Sequence, residues 1–232
     1  MYPLDSKRTE LLFSFQRKLY IKFKNIDLLN TALIHKSFSN EQEIPINNER
    51  LEFLGDAVLG VVTATLLFKN LADKNEGQMA KVKAAVVSEE TLARKAREMQ
   101  IDGVLLLGKG EEQTGGRKKN AILADALEAL IAALYLDSGY KPVFEFVSNF
   151  MEKEIVRMMS DNRDYKSSLQ EISLHRFKAY PIYRLIKYSG PEHDRSFFME
   201  VTVNGKNFGP TVGKNKKAAE QEAAKMALSA LS

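Results

Sequence analysis

LEFLGDAVLGVVTATLLF, residues 51–68, carries only two charged side chains, Glu52 and Asp56. A second stretch, AILADALEALIAALYL at residues 121–136, repeats the pattern with Asp125 and Glu128. Separations of four and three residues place each pair on one face of an α-helix. A helix that is apolar on its other sides is expected to be buried. An ionised carboxylate in such a place costs on the order of several kcal/mol unless a cation or a hydrogen-bond network compensates it. Four carboxylates on two such helices therefore point to a hard-cation site. Oxygen ligation suits Mg²⁺ or Mn²⁺, whereas zinc and copper favour His or Cys.

Around these stretches the pattern is helical from residue 7 to about residue 158. Apolar positions recur every three or four residues at Leu11, Leu12, Phe15 and Leu19, at Ile26, Leu29, Ala32 and Leu33, and at Val143, Phe146, Val147 and Phe150. Asn47 and Asn48 stand where the first acidic helix needs an N-cap, and Ser88 caps SEETLARKAREM. The polar, glycine-bearing segment at residues 108–120 predicts a loop leading into the second acidic helix. SDNRD at residues 160–164 marks a linker, set at residues 159–163, and the pattern then changes. A helix from Asp164 to about Phe177 precedes a strand at Ile182 to Tyr188. Phe197, Met199, Val201 and Val203 alternate with polar or outward positions as a half-buried strand does. Asn204-Gly205 then predicts a type I′ hairpin turn, which needs positive φ at both central residues. A third strand to about Val212 and an Ala-rich helix from about Asn215 to Leu231 complete an α-β-β-β-α order.

The chain has 232 residues, is 44% apolar and contains no cysteine. It has room for two modest domains, and a disulfide framework or a thiolate metal site is excluded. No uninterrupted run of about 18 apolar residues occurs, and MYPLDSKRTELLF lacks the apolar core of a signal peptide, so a cytoplasmic location is expected. Residues 1–162 hold 22 Lys and Arg against 23 Asp and Glu, whereas residues 163–232 hold 12 against 7. A basic excess confined to one segment suggests a polyanion-binding module.

The motif NNERLEFLGDAVLG at residues 47–60 resembles the signature of ribonuclease III endonuclease domains. EGQMAKVKAA at 76–85, the segment from Leu107 to Gly139, and a C-terminal part similar to a double-stranded-RNA-binding domain extend the resemblance over nearly the whole chain. It implies an all-α endonuclease domain at residues 1–158, the linker at 159–163 and an α+β RNA-binding domain at 164–232. The implied activity is Mg²⁺-dependent endonucleolytic hydrolysis of double-stranded RNA by a homodimer, with Mn²⁺ able to substitute. Products would carry 5′-phosphate and 3′-hydroxyl ends with short 3′ overhangs, and precursor rRNA and other structured transcripts would be the substrates. No organic cofactor and no membrane partner are implied.

By motif position Glu52, Asp56, Asp125 and Glu128 match the family's metal-site acids, with Asp56 and Glu128 closest to the chemistry. Glu49 and Glu76 match supporting acids, although an acid in a first helical turn is favourable on electrostatic grounds alone. Phe53 matches an aromatic side chain that plugs into the partner subunit, which would tie dimer packing to its neighbour Glu52. In the RNA-binding part, Lys214, Lys216 and Lys217 match a phosphate-gripping cluster at a helix start. Ser167, Gln170 and Glu171 match first-helix contacts, and His193 a minor-groove loop contact. Ala121, Asn215, Lys83 and Ala132 depart from common family residues, and none of these changes removes a carboxylate. Asn215 retains the capping capacity of the Ser it replaces.

Two other function classes compete. A non-catalytic double-stranded-RNA-binding dimer would be marked by loss of a metal acid, and all four are present. A di-iron oxidoreductase needs Glu-x-x-His ligand pairs, and neither acidic helix contains a histidine.

Overall fold

The computed structural model describes residues 4–161, 165–191 and 194–231, with only the backbone given at 160 and 161. Two compact units emerge, Met1–Asp161 and Asn162–Ser232.

The first unit is helical: α1 (Ser6–Lys18), α2 (Ile26–Ala32), α3 (Lys36–Glu41), α4 (Glu49–Asn70), α5 (Glu76–Val86), α6 (Glu89–Glu98), α7 (Lys109–Gln113), α8 (Asn120–Ser138) and α9 (Tyr140–Asp161). Short polar side chains start several of these by accepting orphan backbone N–H groups. Asp5 takes the Arg8 N–H, Asn25 that of Asp27, and Ser88 that of Thr91. Asn75 and Gln78 form a reciprocal capping box ahead of α5. At α4 the helix begins after Asn48, yet it is Asn47 whose side chain accepts the Glu49 N–H, at 3.1 Å.

Helix α8 is the core. Eleven of its residues between Ile122 and Leu134 are buried, and only Asp125 and Glu128 interrupt that run. The other acidic helix departs from expectation. One face of α4 is buried against α8, but Phe53, Val61 and Phe68 are 82%, 58% and 75% exposed, and Ala57 and Ala64 between them are also open. These positions form a stripe at helical spacing, so the apolar composition of α4 records two faces, and one of them is uncovered in the single chain. By length and composition α4 would also pass for a membrane-crossing helix, but 44% of that apolar window is buried inside the fold, as in the core helix of a globular unit.

The glycine-bearing segment at 108–120 is not a simple loop. It holds α7 and a 3₁₀ turn at Gly116–Lys118, because its charges pair locally and its backbone is anchored at long range. Lys119 meets Glu111 at 2.6 Å, Arg117 meets Glu112, Ser37 Oγ accepts the Gly108 N–H, and Glu41 accepts that of Lys109. Helix α9 continues through Asp161, so residues 159–161 of the expected linker are helical.

One buried ion-pair group ties α9 to α6. Glu154, 3% exposed, is paired with Arg94 at 2.6 Å and with Lys95 at 2.8 Å. The Arg94 and Lys95 hydrogen bonds pull its pKa down to about 2. Because the folded value lies below the unfolded one, this stabilisation is present above about pH 4.5 and is lost as pH falls towards 2. Glu154→Gln is expected to cost about 3 kcal/mol at pH 7 by leaving Lys95 and Arg94 under-compensated. In thermal melts the variant should lie several degrees below the parent at neutral pH and converge with it only as the pH falls to about 2.

The second unit contains α10 (Tyr165–Phe177), β1 (Ile182–Ser189), β2 (Ser196–Val203), β3 (Lys206–Gly213) and α11 (Lys216–Leu231). The strands form an antiparallel sheet in the order β1-β2-β3, and α11 lies across β2 and β3 with α10 beside it. Leu169, Val201, Val203, Phe208, Ala223, Ala224 and Ala227 make its core. The hairpin turns at Asn204 (φ 48°) and Gly205 (φ 77°), both in the left-handed region that a type I′ turn requires. Asn215 caps α11 by accepting the Ala218 N–H at 2.8 Å. Asp164, where the sequence starts α10, lies outside the described residues.

Candidate functional site

The two acidic helices meet at Gly55. A Cβ built there would lie 1.9 Å from the Glu128 carbonyl oxygen and 2.4 Å from its carbonyl carbon, so only a residue without a side chain allows this approach. The contact brings Glu52 from α4 beside Asp125 and Glu128 from α8. One carboxylate oxygen from each of these three residues lies within 4.8 Å of the others, and all three side chains are half-buried. Asp56, one turn further along α4, is exposed and stands outside that trio, although its charge still acts on Glu128.

The electrostatics show a cluster with too little positive charge. Burial, then Asp56, Asp125 and Glu52, push the Glu128 carboxyl up to about 7. Burial, then Asp125 and Glu49, raise the pKa of Glu52, and burial, then Glu89, raise that of Asp125. Lys36 opposes both of the latter shifts. An all-oxygen trio held this close in a desolvated place fits a hard divalent cation.

Of the supporting acids, Glu49 accepts from Asn47 Nδ2 and pairs with Lys36 at 3.2 Å. Glu76 is exposed in the first turn of α5. Sequence reasoning missed Lys36 and Glu89, because each reaches the cluster from a separate helix with no spacing that links it to the acids. Phe53 projects from α4 next to Glu52. Further along the same stripe, Asp56, Ala57, Gly60, Val61, Ala64, Lys83 and Val87 line an open hollow of about 320 Å³.

In the second unit Ser167 and Gln170 of α10 and Lys216 and Lys217 of α11 line one hollow of about 610 Å³, together with Lys166, Tyr180 and Tyr183. Lys166 pairs with Glu220 at 2.5 Å and stands 4.7 Å over the Tyr183 ring. Lys214 and Glu171 are exposed but do not line that hollow. His193 lies outside the described residues. The three residues that sequence reasoning missed here, Lys166, Tyr180 and Tyr183, carry no local motif.

Comparison with known proteins bears on both units. The Ribonuclease-III-like family profile matches residues 25–155, and the double-stranded RNA binding motif matches residues 165–231. Ribonuclease 3 of Treponema denticola is 50% identical over 98% of this chain and 95% of its own length. Ribonuclease 3 of Borreliella burgdorferi is 46% identical over 99% and 95% respectively. Among solved structures, a nuclease domain of ribonuclease III from Campylobacter jejuni, described as flexible in a region involved in dimer formation, is 40% identical. It covers 60% of this chain and 95% of its own, with a TM-score of 0.57. Two acid-bearing helices in contact, a basic α-β-β-β-α unit, and agreement with these relatives from end to end all lead to one assignment: the chain is an endoribonuclease of the ribonuclease III family.

Proposed function

We propose that this protein is a homodimeric, Mg²⁺-dependent endoribonuclease that hydrolyses both strands of double-stranded RNA. The trio of half-buried, mutually close carboxylates with too little counter-charge is the observation that carries this reading. In it, residues 1–161 are the endonuclease domain, and residues 162–232 hold what remains of the linker and the RNA-binding domain. The enzyme works in the cytoplasm on precursor rRNA and other structured transcripts.

Glu52, Asp125 and Glu128 supply the ligand oxygens, and Asp56 completes the set from the adjacent turn. A bound divalent cation supplies Lewis acidity towards the attacking water and charge stabilisation for the phosphate and the departing 3′ oxygen. Gly55 fixes the distance between the two ligand pairs. Lys36 and Asn47 hold Glu49 at the rim, and Glu76 has a supporting place on α5. Lys214, Lys216 and Lys217 bind phosphates, while Ser167, Gln170, Glu171 and His193 read A-form shape.

The metal requirement has a stability signature. Glu128, with a folded pKa near 7, holds a proton in the folded state that the unfolded chain has already released above about pH 4.5. Its contribution to stability therefore falls as pH rises through that window. A cation replaces that proton. About 10 mM Mg²⁺ should raise the melting temperature more at pH 8 than at pH 6. Equal shifts at both values would argue against cation binding at this cluster.

The uncovered stripe on α4 supports self-association. A two-fold axis would set each Phe53 against the other copy's stripe and its hollow, burying both. Phe53→Glu is expected to shift the sedimenting species from about twice 26.2 kDa towards 26.2 kDa.

Analysis of product ends tests the reaction itself. Staggered products with 5′-phosphates and 3′-hydroxyls support hydrolysis at the 3′ oxygen, and 2′,3′-cyclic phosphates would exclude it.

A further inference from the structure

The segment RKLYIKFK, residues 17–24, spans the end of α1 and the turn after it and contains four cations, with no acid between Glu10 and Asp27. Tyr20 within it has φ 56° and is 97% exposed. A bulky residue in the left-handed region is strained, and here no burial offsets the strain. Tyr20 takes the left-handed position that follows the C-cap of α1, as Glu43 and Gln100 do after α3 and α6; a glycine would hold the same turn without strain, and the tyrosine leaves its ring in solvent.

The segment is held rigid from beneath. Buried Gln16 accepts the Phe23 N–H through its side chain at 2.9 Å and the Ile21 N–H through its carbonyl at 3.1 Å. Asp137, at the end of α8, accepts the N–H groups of Lys24 and Asn25 at 3.0 and 2.7 Å. Leu19 and Ile21 are partly buried against the core and Phe23 is fully buried. The side chains left outside are Arg17, Lys18, Tyr20, Lys22 and Lys24. Among the described residues Arg17, Lys18 and Lys22 have no ion-pair partner.

We propose that this rim is a second RNA-binding surface, which takes a single-stranded segment flanking the duplex. An exposed ring among cations on a rigid backbone is the arrangement that stacks an unpaired base and grips its neighbouring phosphates. A paired A-form stem offers no free base face, so the tyrosine selects single strand. A lipid surface fits less well, because the apolar residues between the cations are turned inward and leave no face to insert. Counted along α8, the anchoring Asp137 lies roughly 14 Å from Glu128 and 18 Å from Asp125. A short single-stranded arm spans that distance.

The test uses the full chain in EDTA and two labelled RNAs. One is a blunt duplex of about 20 base pairs, long enough for the RNA-binding motif. The other is the same duplex with a single-stranded arm of about ten nucleotides. The parent is expected to bind the armed RNA about tenfold more tightly than the blunt one. Tyr20→Gly and the Lys18→Ala/Lys22→Ala pair should each lose most of that gain and keep blunt-duplex affinity. Tyr20→Gly should melt at or above the parent temperature, since glycine accepts this turn, so a lost gain cannot be ascribed to misfolding. An arm that gives the parent no gain, or a gain that survives both variants, overturns the proposal. Equal loss on the blunt duplex would reassign the rim to paired RNA and likewise overturn the single-strand assignment.

Discussion

Glu128→Gln is expected to lower the cleavage rate of duplex RNA by at least about 10³-fold while leaving duplex binding in EDTA unchanged. The rate falls because Glu128 lies at the meeting point of the acids, with its pKa set by burial and by Asp56, Asp125 and Glu52 together. Removing its charge removes the proposed ligand closest to the other acids, and a thousandfold corresponds to about 4 kcal/mol of transition-state stabilisation. Binding persists because the double-stranded RNA binding motif lies in residues 165–231. The same substitution has a second expected effect. Without metal at pH 8 the variant should be at least as stable as the parent, because an uncompensated buried charge has been replaced by a neutral amide. It should also lose the Mg²⁺-induced rise in melting temperature. Rate measurements, RNA binding and melts on one preparation check all three expectations.

Gly55→Ala is expected to reduce cleavage at least about a hundredfold although it touches no carboxylate. The added Cβ would overlap the Glu128 backbone, and backbone inside two packed helices yields only by moving one helix. A displacement of about 1 Å between catalytic groups costs on the order of 10²-fold in rate. Overpacking in a core typically costs 1–3 kcal/mol, so the melting temperature should fall by roughly 2–12 °C. A variant that melts like the parent and cuts like the parent would show that the spacing of α4 and α8 does not govern the site.

Much of this architecture was legible in the sequence where local chemistry determines it. Ser88 caps α6, Asn215 caps α11, and Asn204-Gly205 turns the β2-β3 hairpin. In each case the residue's own hydrogen-bonding or φ preference acts within four positions. The two acid pairs were legible as well, since a carboxylate in an apolar helix is a local contradiction. That they share one site was expected from their chemistry; the contact that brings them together was not legible. It depends on Gly55 opposing Glu128, a contact across more than seventy residues that no periodicity encodes. Lys36 and Glu89 stayed hidden for the same reason.

Residues 108–120 read as a loop because glycine and charge dominate them. Pairing of Glu111 with Lys119, and anchoring by Ser37 and Glu41, supply the order that propensity lacks. Helix α4 carried the subtler error. Hydrophobic periodicity reports that a face avoids water, and it is silent on whether the chain itself or a second copy covers that face.

The central claim is that the carboxylates gathered where α4 meets α8 form a divalent-cation site that cuts duplex RNA. Its most direct test is cleavage of an end-labelled perfect RNA duplex, run beside the matching single strand, in Mg²⁺ or in EDTA. Staggered cuts confined to the duplex and abolished by EDTA are the predicted result. Tight binding without cleavage in saturating Mg²⁺ or Mn²⁺, or cleavage that persists in EDTA, would contradict the claim.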